Sequence, residues 1–367
     1  MKVPISSQIT GEPEAANVAR VASSQHYGGG IWTDEFEKRF SEFMGARYGV
    51  FCNSGSSANL LALAALELPE RSRIVTSAVN FPTTVNAIIQ LGHIPVFVDA
   101  DIHTLNPKYF PFGQFDGSDY DAGIFAHTLG NPVNLPKVNY PIIEDCADAL
   151  GSGIGKTGVM STVSFYPAHH MTTGEGGMVV TDSPKYKKVL ESYRDWGRDC
   201  WCAPGEDNTC GRRYGGDYDH KYTYSRIGYN LKASDFQAAV GVAQLDRLPG
   251  FIQRRKYNWK QLRERLDGLP LLFMIPNGDP SWFGFPFLAE ERNKLAIYLD
   301  SKGIGNRPIM AGNILRQPAY KDIEHEVIGN LDGANIIHSH GLWVGCWPGI
   351  NDEMIKYVIQ SFREFYK

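Results

Sequence analysis

The sequence lacks the features that would assign a protein to a membrane, to nucleic acid or to disorder. Its 367 residues contain no apolar run approaching the roughly 18 residues of a membrane helix, and no signal-peptide core at the start. Neither charge sign dominates, since 36 Lys and Arg face 40 Asp and Glu, which leaves no basic footprint for nucleic acid or an anionic membrane. Like-charge blocks and low-complexity tracts are also missing. We expect a soluble, cytoplasmic protein.

The chain is long enough for two units that each bury a core. Strands are predicted at 74–79, 94–98, 122–126, 140–144, 162–166, 178–181 and 282–288. Helices are predicted at 33–44, 60–68, 82–91, 235–248, 249–266, 290–303 and 351–366. Because strands and helices alternate in the first two thirds, we expect an α/β fold with a mostly parallel sheet. We predict a large cofactor-binding domain over 1–245 and a smaller α+β domain over 246–367.

Two segments have the composition of a ligand site. The first, Asn53-Ser54-Gly55-Ser56-Ser57, precedes an apolar helix, where backbone N–H groups and hydroxyls can bind a phosphate. An ordinary helix cap is an equally good interpretation of it. The second is Glu144-Asp145, at the end of a predicted strand, where an aspartate can pair with a protonated ring nitrogen or form a simple loop salt bridge.

A histidine pair is followed by a glycine-rich turn. His169 and His170 stand shortly before Gly174-Glu175-Gly176-Gly177, where glycines allow the backbone to approach a ligand closely. Histidine titrates near neutral pH and can act as a general base, although a lone histidine is more often a core residue.

Cysteine is scarce but unevenly distributed. Three of the six cysteines, Cys200, Cys202 and Cys210, fall within eleven residues. Their spacing matches neither the usual ferredoxin patterns nor a zinc ribbon, so iron–sulfur, zinc and coincidence remain open. Cys52 and Cys346 are predicted to be small core residues.

The order of several motifs resembles the DegT/StrS group of sugar aminotransferases. These motifs are Gly-Ser-Ser-Ala at 55–58, Asn-Phe-Pro-Thr at 80–83, Glu-Asp at 144–145, Ser-Phe-Tyr-Pro at 164–167, Gly-Glu-Gly-Gly at 174–177 and Gly-Tyr-Asn-Leu-Lys at 228–232. The resemblance implies the aspartate-aminotransferase fold (pyridoxal-phosphate fold type I) and a homodimer. It also implies a cofactor-binding set in which Asp145 pairs with the ring nitrogen, Phe81 stacks on the ring, and phosphate is held by Ser56, Ser57, Ser164 and Asn230 of the second subunit. Asp148 completes this cofactor-binding set.

One departure from the family decides the expected chemistry. The family has a lysine six residues before the glutamate of Gly-Glu-Gly-Gly, and this lysine binds the cofactor covalently. Here that position is His169, and no lysine occurs between Lys156 and Lys185. Because imidazole cannot form that bond, ordinary transamination is not expected, and we predict that His169 is a base. Lys232 is not favoured as a substitute.

The surroundings of the cysteines resemble one branch, the CDP-4-keto-6-deoxyglucose 3-dehydratases. Proteins of this branch use pyridoxamine 5'-phosphate, a histidine base and a 2Fe-2S cluster. The resemblance makes Cys200, Cys202 and Cys210 cluster ligands. It places the fourth ligand just after Asp145, which assigns it to Cys146, although the branch pattern puts that cysteine at position 147, where this chain has alanine.

The implied activity is removal of the C3 hydroxyl from a nucleotide-linked 4-keto-6-deoxyhexose. A flavin/iron-sulfur reductase would be the partner that supplies electrons through the cluster. Candidate substrate-binding residues are His220, Tyr222, Arg307, Asn313, Arg316 and Gln317. Two alternatives stay open at this point: a cluster-free histidine dehydratase, and a non-catalytic relative that binds nucleotide sugar.

Overall fold

The computed structural model describes residues 1–108, 120–200, 202, 208–211, 213, 215 and 218–367. The strands in these residues are β1 (Tyr48–Cys52), β2 (Arg73–Ser77), β3 (Ile94–Val98), β4 (Ala122–Ala126), β5 (Ile142–Asp145), β6 (Met160–Ser164), β7 (Gly177–Thr181), β8 (Leu271–Phe273), β9 (Gly284–Ala289), β10 (Asn306–Arg307), β11 (Glu326–Ile328) and β12 (Gly341–Gly345). The α-helices are α1 (Glu12–Ser24), α2 (Ile31–Met44), α3 (Gly55–Ala64), α4 (Pro82–Gln90), α5 (Pro184–Arg194), α6 (Asp235–Arg265), α7 (Arg292–Ser301), α8 (Asp332–His340) and α9 (Asp352–Phe365). Among the described helices, none is long and apolar enough to cross a bilayer.

Within the described residues, eight strands form one large sheet in the order β1-β7-β6-β5-β4-β2-β3-β11. The strand β7 is antiparallel to both of its neighbours, while the strands from β6 to β11 pair in parallel. The predicted mostly parallel α/β fold is therefore confirmed. The carboxyl ends of β5 and β6 carry Asp145 and Ser164 to the same sheet edge, which is where ligands bind in open α/β sheets.

A smaller sheet has the order β10-β12-β9-β8 and is antiparallel. It packs with α7 and α9 in a core that includes Trp282, Phe285 and Phe362. The predicted boundary at 245 falls inside α6, which continues to Arg265. In addition, β11 returns from the C-terminal part to pair with β3 of the large sheet. The division into 1–245 and 246–367 stays a prediction.

Three predicted helices differ from the structure for identifiable reasons. The helix predicted at 60–68 begins at Gly55, because the Ser54 hydroxyl accepts the N–H of Ser57 and caps the first turn. The two helices predicted on either side of Pro249 are one helix, α6, although proline removes a helical hydrogen bond. Packing overrides the proline, since α6 contacts α1 and α2 as well as α9.

An aromatic core lies beneath the carboxyl edge of the sheet. The side chains of Phe36, Phe40, Phe51 and Phe165 are fully buried, with ring centroids 5.0 to 6.1 Å apart. The predicted helical spacing in α2 accounts for two of them, and α2 ends at Gly45 with φ 72° as predicted. This core supports β6 and therefore holds Ser164 and the following loop in place.

Candidate active site

The predicted phosphate site is a close contact between the start of α3 and the end of β6. A Cβ atom added at Gly55 would lie 2.5 Å from Ser164 Cβ and 2.9 Å from Ser164 Oγ, so only glycine permits this approach. Ser56 is exposed, and the Ser57 hydroxyl donates to Asn53 Oδ1 at 2.6 Å. The structure therefore brings Ser56, Ser57 and Ser164 to one helix N-terminus, and this donor set fits a phosphate.

Asp145 lies at the end of β5, with its carboxylate fixed by buried donors. Its Oδ2 accepts hydrogen bonds from Asn59 Nδ2 at 2.8 Å and from Thr84 Oγ1 at 2.7 Å. The Thr162 hydroxyl donates to the amide oxygen of Asn59 and so orients that amide. Asp145 Oδ1 accepts a longer bond from Ala147 N, at 3.2 Å. A buried carboxylate with one oxygen saturated and the other less engaged fits a cationic ring nitrogen.

The predicted base, His169, is next to Asp148 and between aromatic rings. His169 Nδ1 lies 3.3 Å from Asp148 Oδ1, and the two side chains are only 15% and 11% exposed. The imidazole packs at 5.3 Å from the Phe283 ring and at 6.2 Å from the Tyr166 ring, measured between centroids. The structure thus brings His169 into contact with the loop that follows Asp145. The carboxylate of Asp148 faces this histidine, and its direct contact with the cofactor stays a prediction.

A buried arginine holds the main chain of this segment. Arg255, in α6, donates from Nη2 to His169 O at 3.0 Å and from Nη1 to Phe283 O at 2.9 Å. Burial lowers the pKa of this guanidinium to about 10. Arg255 therefore links the backbone of the base to the backbone of the aromatic ring that packs on it.

The second histidine of the pair is a structural residue. His170 is buried, and its Nε2 donates to Ser281 O at 2.7 Å. Burial, and then the nearby Arg255 charge, lower the pKa of His170 well below its ordinary value, so the ring is neutral. Of the two histidines, only His169 presents a ring beside a carboxylate at the sheet edge.

The remaining predicted cofactor contacts are at the surface of the subunit. Phe81 is 51% exposed at the start of α4, which leaves a ring face available for stacking. Asn230 is exposed, and its Oδ1 accepts from Lys232 Nζ at 2.6 Å. The ammonium of Lys232 also lies 3.4 Å from the centroid of the Trp196 ring. Lys232 is thus engaged with Asn230 and Trp196.

The three clustered cysteines come together, and they are joined by a histidine. The Sγ atoms of Cys200, Cys202 and Cys210 and a ring nitrogen of His220 all lie within 4.8 Å of one another. Hydrogen bonding, first of all from Thr209, lowers the pKa of Cys202 to about 5, which favours the thiolate that metals bind. This donor set fits an iron–sulfur centre or a zinc ion.

The structure does not bring Cys146 to this cluster. Cys146 is fully buried in the core beneath the sheet, and its Sγ donates to Glu144 O at 3.6 Å. Burial raises the pKa of this thiol well above its ordinary value, which keeps it protonated. Among the described residues, Cys146 is grouped with His127 and Glu144 instead of with the three clustered cysteines, and its assignment as the fourth ligand stays a prediction that the alternation of side chains in an extended segment disfavours.

The predicted substrate residues separate into different places. His220 is buried beside the cysteines, and its role in substrate binding stays a prediction. Tyr222 is 61% exposed two residues later. Arg316 is exposed in a loop whose neighbours Ala311 and Ile314 bond to the backbone of Asn80 and Ala78. Arg307 is exposed on β10. Asn313 is buried, and Gln317 donates to Ala311 O.

Several functional residues were missed at the sequence level. They are Asn59, Thr84, Asp219, His220 as a cysteine neighbour, Arg255 and Phe283. Asn59 could have been found, since it lies one helical turn after Gly55 on the side that faces the strand end. No sequence pattern indicated Arg255, because its contacts with the backbone of His169 and Phe283 form only when the chain folds.

Comparisons with known proteins agree with this geometry. The sequence profile of the DegT/DnrJ/EryC1/StrS aminotransferase family matches residues 8–363. The chain is 44% identical to the lipopolysaccharide biosynthesis protein RfbH of Salmonella typhimurium, over 99% of this chain and 92% of the relative. It is 42% identical to the dTDP-4-dehydro-2,6-dideoxy-D-glucose 3-dehydratase of Saccharopolyspora spinosa, over 90% of this chain and 79% of the relative.

A solved structure of similar shape is a GDP-4-keto-6-deoxymannose 3-dehydratase variant with bound GDP-perosamine. It superposes with a TM-score of 0.91 at 28% identity, over 98% of this chain and 100% of the other. The match extends over both sheets and over the sheet edge that carries Asp145, Ser164 and His169. The chain therefore belongs to the DegT/DnrJ/EryC1/StrS aminotransferase family.

Proposed function

We propose that this protein is a pyridoxamine-phosphate-dependent 3-dehydratase that acts on a CDP-linked 4-keto-6-deoxyhexose. The observation that carries the proposal is His169, which occupies the position of the family's cofactor-binding lysine and lies 3.3 Å from Asp148. A histidine held by a carboxylate has the chemistry of a proton acceptor, whereas it cannot bind the cofactor covalently. Similarity to nucleotide-sugar 3-dehydratases supports the same reaction class.

The base acts through one ring nitrogen. Because the Asp148 carboxylate lies 3.3 Å from Nδ1, its charge favours a proton on Nδ1, and Nε2 is left to accept a proton. The rings of Phe283 and Tyr166 limit the positions that the imidazole can take. Asp148 then stabilises the cation that forms when Nε2 is protonated.

The other residues bind and orient the cofactor. Ser56, Ser57 and Ser164 would hold its phosphate, Phe81 would stack on its ring, and Asn230 would reach the phosphate of the second subunit in a homodimer. Asp145 would keep the ring nitrogen protonated, with its own position fixed by Asn59 and Thr84. When bound, the cofactor supplies an amine that condenses with the C4 ketone and a ring that relays electrons as the C3 hydroxyl leaves.

Complete removal of the oxygen at C3 requires two electrons. The C3–O bond breaks and the hydroxyl leaves as water, after which two electrons and protons are needed to restore the cofactor and release the 3-deoxy sugar. We propose that Cys200, Cys202 and Cys210 would hold a 2Fe-2S cluster, which would supply one-electron transfer from a flavin/iron-sulfur reductase. A zinc ion would have no redox role.

The base is tested by His169→Asn. This variant should lose turnover of the CDP-linked 4-keto-6-deoxyhexose by about 10²–10⁴-fold, the usual contribution of a general base. It should still bind pyridoxamine phosphate, as measured by the cofactor's absorbance. The matched control is His103→Asn, at an exposed turn after β3, which should behave like wild type. Wild-type turnover in His169→Asn would refute the proposed base.

The nucleotide and the cluster have separate tests. Turnover should be fastest with the CDP sugar among CDP-, dTDP- and GDP-linked 4-keto-6-deoxyhexoses, and a preference for another base would overturn that assignment. Anaerobically purified protein should contain iron and acid-labile sulfide and lose its visible absorption in Cys200→Ser. A colourless protein that dehydrates its substrate and regenerates with glutamate would establish the cluster-free alternative.

A further inference from the structure

His220 presents a ring nitrogen to the three clustered cysteines. Its Nε2 lies 3.6 Å from Cys202 Sγ. Two ligands of one tetrahedral metal ion with bonds of about 2.3 Å to sulfur and 2.0–2.1 Å to nitrogen stand about 3.6 Å apart. The spacing between His220 and Cys202 is therefore that of two ligands on one metal atom.

The orientation of His220 is fixed from its other side. Its Nδ1 lies 2.9 Å from Asp219 Oδ1, and the ring is only 8% exposed. The same Asp219 oxygen accepts the N–H of Lys221 at 2.9 Å, so the carboxylate is itself held by the backbone. Metal-bound histidines nearly always donate their second ring N–H to such a partner, which sets the tautomer and leaves Nε2 for the metal.

The other candidate for a fourth ligand already has a complete environment elsewhere. Cys146 belongs to a buried group with His127 and Glu144. His127 Nε2 pairs with Glu144 at 3.1 Å, and its Nδ1 accepts the N–H of Val133. Glu144 also accepts three backbone N–H bonds, from Gly155, Thr157 and Gly158. With its polar atoms satisfied, this group has a structural role and leaves no ligand for a metal.

We propose that His220 Nε2 is the fourth ligand of the metal centre, so that the centre is held by three cysteines and one histidine. The identity of the metal in this inference rests on the proposed function, whereas the identity of the ligands does not. A neutral imidazole in place of a fourth thiolate makes the ligand set one charge less negative. For an iron–sulfur centre this substitution raises the reduction potential.

The experiment compares metal content in four proteins purified without oxygen after supply of ferrous iron and sulfide. These are wild type, His220→Ala, His220→Cys and Cys146→Ser. We expect Cys146→Ser to bind as much metal as wild type, and His220→Ala to lose most of it. His220→Cys should recover the metal with a changed visible spectrum. Bound pyridoxamine phosphate, measured in each variant, reports that the fold is intact.

A spectroscopic measurement identifies the ligand directly. In protein labelled with ¹⁵N-histidine, the reduced centre should show a nitrogen hyperfine coupling by pulsed EPR, and His220→Cys should lack it. Full metal content with an unchanged spectrum in His220→Ala would overturn the proposal. Loss of the metal in Cys146→Ser but not in His220→Ala would overturn it as well.

Failure of this proposal can be distinguished from failure of the proposed function. A wild-type protein that holds one zinc ion and no sulfide refutes the redox function. In that case the zinc content of the same four proteins still tests whether His220 is a metal ligand. A wild-type protein that takes up neither iron nor zinc overturns the ligand proposal. The role of His169 is then still decided by its own substitution.

Discussion

Asp148→Asn is expected to slow turnover without loss of the cofactor. Asp148 Oδ1 lies 3.3 Å from His169 Nδ1 in a region where both side chains are largely buried. A hydrogen bond to a charged group contributes about 1.5–3 kcal/mol, and the protonated histidine is such a group. At about 1.4 kcal/mol per factor of ten, the loss corresponds to a roughly 10- to 150-fold lower kcat. Because His169 Nδ1 has no aligned hydrogen bond among the described residues, we expect the lower end of this range.

The assay is steady-state turnover of the nucleotide-linked 4-keto-6-deoxyhexose, with pyridoxamine phosphate binding followed by absorbance. Asp148 is argued to act through His169 and not on substrate, so kcat should fall while KM changes little. Asp34→Asn, at an exposed position in the first turn of α2, is the matched control for loss of one carboxylate. A kcat for Asp148→Asn within twofold of wild type would refute the coupling. A rise in KM or loss of cofactor would instead indicate a direct binding role.

Three further predictions concern residues that support the candidate site without acting as the base. Gly55→Ala should weaken pyridoxamine phosphate binding by tenfold or more in a titration. The added Cβ would lie 2.5 Å from Ser164 Cβ, and overpacking of this kind costs about 1–3 kcal/mol. Gly250→Ala, where the added atom meets nothing within 4 Å, is the control and should bind the cofactor normally. Arg255→Met should lower the free energy of unfolding in urea by about 3 kcal/mol, since buried carbonyls of the His169 and Phe283 segments lose their donor. Arg254→Met, at a partly exposed neighbour that pairs with Asp352, should cost about 1 kcal/mol or less. Equal effects would contradict the structural role of Arg255. Because the pKa of His170 is lowered in the folded protein, the unfolded chain binds a proton below pH 6.5 that the folded chain does not bind. The free energy of unfolding should therefore fall on acidification by up to about 1.4 kcal/mol per pH unit. His170→Gln should flatten that slope between pH 7 and pH 5, and an unchanged slope would show that other groups cause it.

The sequence predicted most of the large sheet because its strands are short apolar runs in a regular alternation. The strands β3 and β4 have the predicted bounds, and β5 and β7 differ by one or two residues. The helix α1 was missed because few of its side chains are buried, and the short strands β10 and β11 are too brief for a periodic pattern. Their pairing depends on contacts with distant segments, which no local pattern records.

Within the candidate site, the sequence predicted residues that belong to motifs and missed those that support them. Asp145 and His169 stand at strand ends or beside a glycine-rich turn, where position alone suggests chemistry. Thr84 and Arg255 contribute through contacts with residues 61 and 86 positions away, so their roles appear only when the chain is folded. The alternation of an extended segment also explains Cys146, since the residue after Asp145 turns away from the sheet edge.

The predictions for Cys146 and His220 show why a ligand cannot be assigned from sequence position alone. Cys146 was assigned from its position after Asp145, and His220 was named with Tyr222 as a candidate substrate residue. A metal ligand is selected instead by the direction of its donor atom and by what holds the opposite side of the side chain. Cys146 points into an apolar core that keeps its thiol protonated, while His220 is fixed by Asp219 with Nε2 toward Cys202. In the two proposals, each histidine therefore depends on a neighbouring aspartate: His169 on Asp148 for proton transfer, and His220 on Asp219 for the metal.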